Sequence, residues 1–473
     1  MEAASEPVSP TGQYFTSSVI SISIIAVLES EYPIDDSQTT LLLQNLFLPI
    51  SPRFSSVMAK DKNGTKHWKK VEVKLEDHVR TPIFPQGQSP EFYDNCFCDY
   101  LSKIAMEQFS QSRPLWEIHI FKYPTRTAAG NIVFKLHHAL GDGYSLMGAL
   151  LSCLHRADNP HIPLKFPSLN QKNEMPDKSH GVCRNLFGVI DTVQDFVWSL
   201  LKSSVVKDGR TPIRSGDDGT EFRPITISTL SFSLDRIKQV KANLHVTIND
   251  VICGVVFLGI RLYMQSMNCE QRNAEATSLV LLNTRNIGGY KSISEMVEPA
   301  ADSPWGNQFA FLHVSVPKLD RVQEPNIVNP VRFVLDAQKV IKRKRNSAAV
   351  VLTGKLLDTL RKWRGPEVTA KYIHSTLKNT SMTISNIVGP TERMALSNQP
   401  MKGFYFMVVG VPQKPYNNNG ELCGRAEDGR GYGKWINRCA QVQVVHFESV
   451  RSNIESISPF SSLSFNDIDI IDT

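Results

Sequence analysis

Asn131-Ile132-Val133-Phe134-Lys135-Leu136-His137-His138-Ala139-Leu140-Gly141-Asp142-Gly143 is the stretch on which the reading of this chain turns. An apolar run ends at two histidines, crosses a glycine-flanked turn and enters a helix near Tyr144. Neighbouring residues on a strand point to opposite faces, so His137 and His138 serve different ends. One can face a cleft while the other packs. Imidazole is the side chain that takes up a proton near neutral pH, which makes a histidine here a candidate general base. Asp142 stands four residues past His138, placed to cap the helix, to accept a hydrogen bond or to pair with an arginine. Gly141 and Gly143 open backbone conformations closed to other residues. The four fixed residues of HHxxxDG arise by chance about once in a thousand chains of this composition and length. A plainer reading is a buried histidine pair satisfied by backbone, with Asp142 only a helix cap. Metal binding is disfavoured, because no third ligand lies nearby and adjacent strand positions diverge.

Upstream, Ile20, Ile22 and Ile24 alternate with Ser21 and Ser23, so Val19 to Leu28 reads as a strand. Asp36 to Leu48 reads as a helix, with Leu41, Leu42, Asn45 and Leu46 near helical spacing and Pro49 and Pro52 ending it. The turn Lys62-Asn63-Gly64-Thr65 between Phe54–Met58 and Trp68–Val73 predicts a hairpin. Phe92 to Phe109 is helical, Leu115 to Phe121 and Asn131 to Leu136 are strands, and Ser145 to Leu154 is helical again.

Downstream, Arg156 to Arg184 has the composition of a connecting loop, and Ser203 to Arg223 is polar again. Between them Leu186 to Lys202 forms one amphipathic helix. Leu186, Ile190, Val193, Val197 and Leu200/Leu201 share a face, with Asp191, Gln194 and Asp195 off it. The default expectation is a bridging helix whose apolar stripe docks on a domain. The alternative is an interfacial membrane helix, which Phe187, Phe196 and Trp198 favour and the aspartates oppose. A second mixed segment starts at Ile225, with a strand through Phe232 and a helix over Asp235–Asn243. Thr247-Ile248-Asn249-Asp250 has the form of a capping box ahead of the apolar helix Val251–Met264. Ser278–Leu282, Phe309–Val316, Met382–Val388 and Phe404–Val411 read as strands, and Asn329–Arg345 as a helix.

At 473 residues the chain suits two domains of roughly 200 residues each. Its 41% hydrophobic and 21% charged content is that of a globular protein, which excludes a disordered chain, a fibre or a small disulfide scaffold. A net charge of +6 is too weak to indicate nucleic acid and suits an anionic cofactor or membrane surface. Eight cysteines without a CxxC pair or metal spacing read as free thiols in a reducing compartment. The start of the chain, Met1 to Gln13, lacks the pattern of a secretory signal, so none is expected. No stretch reads as the ~18 apolar residues of a spanning helix. The basic runs Lys342–Arg345 and Arg361–Arg364 read as solvated faces, with coenzyme phosphates or anionic lipid as further partners. The expected division is residues 1–155, a linker 156–223, a second domain 224–413 and an atypical polar tail 414–473.

The HHxxxDG stretch resembles the signature of the acyltransferase superfamily that includes chloramphenicol acetyltransferase, condensation domains and plant alcohol acyltransferases. Within it the chain most resembles the plant branch of the wax ester synthase/diacylglycerol acyltransferase family. Pro7-Val8-Ser9-Pro10, Arg113-Pro114-Leu115-Trp116-Glu117 and Thr247-Ile248-Asn249-Asp250-Val251 carry the likeness. Asn283-Thr284-Arg285, Trp305-Gly306-Asn307, Ser385–Pro390 and Gly403–Phe406 continue it in order, over roughly Glu6 to Gln413. The resemblance implies a two-domain α/β fold of the chloramphenicol-acetyltransferase type with the active-site cleft between domains. It implies that His138 removes the hydroxyl proton of a fatty alcohol or diacylglycerol as that oxygen attacks a fatty acyl-coenzyme A. Products would be a wax ester or triacylglycerol, with acyl-coenzyme A as co-substrate and no bound cofactor. Asp142 would orient the turn with His137, Gly141 and Gly143. Asn249, Asp250 and Trp116 are candidate substrate-site residues, with a helix cap the other reading for Asn249 and the core for Trp116. Peripheral attachment to the endoplasmic reticulum or plasma membrane, on the cytosolic face, is the expected location. Other readings are smaller acyl donors, or an inactive lipid-binding homologue, which the polar tail from Asn417 favours.

Overall fold

The computed structural model describes residues 6–17, 20–61, 66–162, 164, 183–216, 225, 227, 233–285, 305–319, 329–387, 389, 392–410 and 441–443. The strands are β1 (Ile22–Ser30), β2 (Ser56–Lys60), β3 (Lys66–Lys70), β4 (Val79–Arg80), β5 (Trp116–Phe121), β6 (Gly130–His137) and β7 (His155–Arg156). They continue as β8 (Thr277–Asn283), β9 (Phe309–Ser315), β10 (Met382–Ser385), β11 (Met394–Leu396), β12 (Gln399–Gly410) and β13 (Gln441–Gln443). The helices are α1 (Pro10–Phe15), α2 (Thr39–Ile50), α3 (Pro90–Met106), α4 (Gly143–Cys153) and α5 (Cys183–Ser204). After them come α6 (Leu234–Leu244), α7 (Ile248–Met267), α8 (Pro330–Arg345), α9 (Ala349–Arg364) and α10 (Pro366–Asn379).

Seven strands form the first sheet in the order β4-β5-β6-β1-β12-β11-β7. β1 is central, antiparallel to both β6 and β12. The Ile/Ser alternation predicts a half-exposed strand, yet both faces of β1 are covered. Ile24, Ala26 and Leu28 enter the main core with Trp116 and Phe134. Ile25 and Val27 meet Tyr93, Phe97 and Leu101 of α3 on the other face. β6 is buried along its whole length, Lys135 included, whose ammonium donates to the Glu107 carbonyl at 2.7 Å and lies over the Phe109 ring.

The second sheet has the order β13-β10-β8-β9. Its core gathers Cys253, Phe257 and Met264 of α7, Phe333 and Ala337 of α8, and Val280, Val314 and Ile384. α7 is long and apolar enough to cross a membrane by length and composition, contrary to the sequence expectation. It lies instead inside this core, closed at its start by a capping box between Thr247 and Asp250. Gly254 permits the approach of α8, since a Cβ there would stand 2.6 Å from Val334 Cα.

Three linear expectations fail for physical reasons. The second half does not keep to itself: β11 and β12 join the first sheet, because β12 supplies a nine-residue partner for the otherwise open edge of β1. In α2, Leu43 and Phe47 face the core while Leu41 and Leu46 are exposed, and Pro49 is held within the last turn behind a π turn over Leu43–Phe47. In α5 the polar residues dock. Asp195 accepts from Lys344 at 2.8 Å and Arg343 at 3.1 Å, Ser199 meets His313 at 3.3 Å, and Lys202 pairs with buried Asp208. The described part of the apolar stripe points outward, with Val193, Val197 and Leu201 exposed and Leu200 half-buried. Thus the run Lys342–Arg345 is not simply a solvated face, since Lys344 is buried on Asp195. Within the tail, Gln441–Gln443 pairs parallel with β10. The rest of the tail, the 62–65 turn, the side chains of Leu186, Phe187, Ile190 and Asp191, and most of 225–232 lie outside the described residues.

Candidate active site

β6 ends in the histidine pair, and β1 fixes the exit. The His138 N–H donates to the Ile22 carbonyl at 2.8 Å, which extends the β1–β6 ladder by one rung. His137 turns into the core. Its Nδ1 accepts from the Ala139 N–H at 3.0 Å, so Nε2 carries the proton and donates to Ser21 Oγ at 3.2 Å. Burial, then repulsion by neighbouring cations and His138, pulls its pKa down to about 3. His137 is therefore a neutral brace for the turn.

His138 faces the other way. Its Nδ1 lies 2.7 Å from Asn307 Oδ1, while Asn307 Nδ2 donates to the His138 carbonyl at 2.9 Å. A carbonyl only accepts, so this second bond fixes which end of the Asn307 amide is which. Oδ1 must then accept from Nδ1–H, and the lone pair of His138 is left on Nε2. No hydrogen bond engages Nε2 among the described residues. Burial holds the imidazole below its usual pKa, against the opposing pull of Asp142 and Asn307. Phe15, 4.9 Å away, and Phe309, 5.6 Å away, both meet the ring edge to face and stack on each other at 6.1 Å, so they form one apolar wall beside the imidazole. Phe15 arrives on α1, which Ser9 caps and Pro10 opens, so the Pro7–Pro10 element serves to place it.

Asp142 caps α4, accepting from the Ser145 N–H at 3.0 Å. Its carboxylate is clamped by Arg285, Nη1 to Oδ2 at 2.6 Å and Nη2 to Oδ1 at 3.0 Å, with both side chains buried. The Gln308 N–H adds a third donor at 2.9 Å. Arg285 also reaches Ser145 Oγ and the Gly306 carbonyl. Asp142 thus joins the two sheets and has no free edge for proton transfer. Both readings of its role, the helix cap and the arginine pair, describe the same carboxylate.

The glycines act through space, not φ. Neither Gly141 nor Gly143 has a positive φ. A Cβ on Gly143 would come 2.3 Å from Ile387 Cδ1, so the missing side chain lets the strand-end segment after β10 reach the turn. The left-handed glycine is Gly306, at φ 128°, between Trp305, which donates to the Leu140 carbonyl, and Asn307.

Asn249 is half-buried on the first turn of α7, and its Oδ1 accepts from Asn386 Nδ2 at 3.4 Å. Since Ile387 packs at Gly143, residues 386–387 tie the Asn249 turn to the histidine turn. Asp250 is committed to the capping box, its Oδ2 accepting from the Thr247 N–H at 2.8 Å. Trp116 is fully buried in the first core, stacked on His78 and donating to the Phe54 carbonyl. It is a core residue rather than a wall of this site. No local pattern in the sequence points to Asn307, Phe15, Phe309 or Arg285. Their contacts span more than a hundred residues of chain, and the only signal was the ordered blocks holding Arg285 and Asn307.

Two α/β halves interlocked around an HHxxxDG turn define the class: a two-domain acyltransferase fold of the chloramphenicol-acetyltransferase type. Residues 40–252 match the wax ester synthase/diacylglycerol acyltransferase catalytic domain, and residues 305–417 match the WS/DGAT C-terminal domain. The chain is 30% identical over 436 residues to wax ester synthase/diacylglycerol acyltransferase 4 of Arabidopsis thaliana, covering 86% of this chain and 81% of that protein. It is 29% identical to number 3 of the same series, covering 87% and 85%. The solved wax ester synthase/diacylglycerol acyltransferase from Marinobacter aquaeolei VT8 superposes with a TM-score of 0.49 at 16% identity, covering 85% of this chain and 86% of that one. The chain belongs to the wax ester synthase/diacylglycerol acyltransferase family.

Proposed function

We propose that the protein moves a fatty acyl group from acyl-coenzyme A to the hydroxyl of a fatty alcohol or a diacylglycerol, with His138 as general base. The observation that carries this reading is the fixed tautomer of His138, whose Nδ1–H is held by Asn307 and whose Nε2 is unengaged. Nε2 takes the hydroxyl proton as the acceptor oxygen bonds to the thioester carbonyl carbon. The tetrahedral intermediate then expels the coenzyme thiolate, which recovers that proton from the imidazolium. The thioester is already activated, so no acyl-enzyme forms and no bound cofactor is needed. A base positioned in this way contributes about 10²–10⁴ in rate.

Supporting features are the two stacked apolar rings beside His138, which suit a long acyl or alkyl chain, and the depressed pKa, which keeps the base neutral at pH 7. Asp142 and Arg285 position the turn, and Asn249, bonded to Asn386, supplies polar groups on the segment that packs against that turn. Substrates this apolar reside in bilayers, so the protein works as a peripheral protein on the cytosolic face of the endoplasmic reticulum or plasma membrane. The test is release of free coenzyme A from palmitoyl-coenzyme A with hexadecanol or dioleoylglycerol, with the ester product identified by mass. Acceptor-dependent release with the matching ester supports the reading. An absence of product with either acceptor, from protein of native circular dichroism, overturns it in favour of a binding role.

A further inference from the structure

α5 is built inside out for a bridging helix. Among its described side chains the buried ones are Asp195, Ser199, Lys202 and Ser203, all polar, while Val193, Val197 and Leu201, and Val205 just past its end, are exposed. Trp198 stands at the edge of that stripe, over the buried Lys202 ammonium. A helix that satisfies its polar groups inward and leaves its apolar stripe outward has that stripe free for a partner.

The neighbouring helix extends the same character. α5 packs along α9 and α10, and the Ala348 N–H at the start of α9 donates to Thr192 of α5. Within α9 only Ala349 is buried, and Val351, Leu352 and Trp363 are exposed, the last at 77%. Lys355, Lys362 and Arg364 are exposed on the same helix, with half-buried Arg361 beside them and Asp358 the one acid.

We propose that the α5–α9 face docks the protein on an anionic lipid bilayer. Apolar side chains would enter the acyl boundary, tryptophans sit at headgroup level, and α9 cations meet anionic headgroups. Charge decides against a second copy of this chain, because a two-fold contact would set the cationic α9 surfaces against each other. The face is also continuous with the site. Leu357 of α9 and Tyr372 of α10 pack in one cluster with Tyr14, Phe15 and Phe309. Phe15 and Phe309 are the stacked rings beside His138. An acceptor leaving the bilayer beside α9 therefore meets apolar side chains up to the base. This inference deepens the peripheral attachment proposed above and names the surface responsible.

The test is co-sedimentation of the full chain with vesicles of phosphatidylcholine plus phosphatidylserine, and of phosphatidylcholine alone. Val197→Glu/Leu201→Glu should weaken binding to both by at least about tenfold. Lys362→Glu/Arg364→Glu should weaken binding by at least about tenfold on the phosphatidylserine vesicles only. Brominated lipid should quench Trp198 and Trp363, a signal that Trp198→Phe and Trp363→Phe remove in the otherwise unaltered fold. Coenzyme A release with detergent-dispersed hexadecanol reports the chemistry separately. It should be unchanged in Val197→Glu/Leu201→Glu, while transfer to vesicle-borne acceptor falls. Wild-type binding retained by both charge variants would overturn the proposal, as would quenching that survives loss of both tryptophans. A wild-type dimer that Val197→Glu/Leu201→Glu renders monomeric would overturn it in favour of self-association. Vesicle binding without any transfer would leave this face standing and remove the proposed chemistry.

Discussion

Replacing Asn307 with alanine probes the one contact that decides which nitrogen of His138 is the base. Two hydrogen bonds disappear, Nδ1–H to Oδ1 at 2.7 Å and Nδ2–H to the His138 carbonyl at 2.9 Å. The buried Nδ1–H loses its acceptor, at a cost of roughly 1–3 kcal/mol, and either tautomer becomes available. Removing an orienting partner of this kind lowers turnover by about 10–100-fold, or roughly 1.4–2.8 kcal/mol in the barrier. The assay is steady-state release of coenzyme A from palmitoyl-coenzyme A. The loss should fall on kcat, with KM for the donor nearly unchanged, because both side-chain hydrogen bonds of Asn307 go to His138. In a His138→Ala background the same replacement should have no further effect, since Asn307 acts only through His138. Asn307→Asp tests the sign of the electrostatics. A carboxylate beside Nδ1–H favours the imidazolium, so the pH profile should move to higher pH. A kcat within about twofold of wild type for Asn307→Ala, or an equal loss with and without His138, would refute this chain of reasoning.

Burial depresses the His138 pKa, and the base works unprotonated, so kcat should be flat above pH 7 and fall as pH drops through a value below the usual 6.5; a limb centred above pH 7 would contradict the assignment. Arg285→Leu leaves the buried Asp142 carboxylate without its counter-charge and should destabilise the fold by about 3–5 kcal/mol in urea titration, whereas a loss below about 1 kcal/mol would show that the clamp is not structural. Gly254→Ala brings a Cβ within 2.6 Å of the Val334 backbone, so α7 and α8 must separate at a cost of about 1–3 kcal/mol, and an unchanged melting temperature would disprove that contact.

Local chemistry was legible in the sequence. The strand, turn and helix around His137 and His138, the 56–70 hairpin, α3 and the Thr247–Asp250 capping box all follow from periodicity and capping residues close together in the chain. What sequence spacing could not convey was pairing across distance. Nothing local to Gln399–Gly410 indicates that β12 completes the first sheet beside β1. Nothing local to Asn307 indicates that it meets a histidine 169 residues earlier. α5 misled for a different reason. Periodicity locates an apolar face but not its direction, and here Lys344 and Arg343 offered Asp195 a stronger inward anchor than the valines offered. The sequence presents Gly141 and Gly143 as conformational residues, whereas the fold uses the room beside them.

The central claim is that Nε2 of His138 removes the acceptor's proton. Its most direct measurement is the acceptor-dependent rate of coenzyme A release by His138→Ala beside wild type, both shown to be folded by near-ultraviolet circular dichroism. A loss of about 10²–10⁴ in kcat with donor affinity retained is the predicted result. Equal rates for the two proteins would contradict the account at its base.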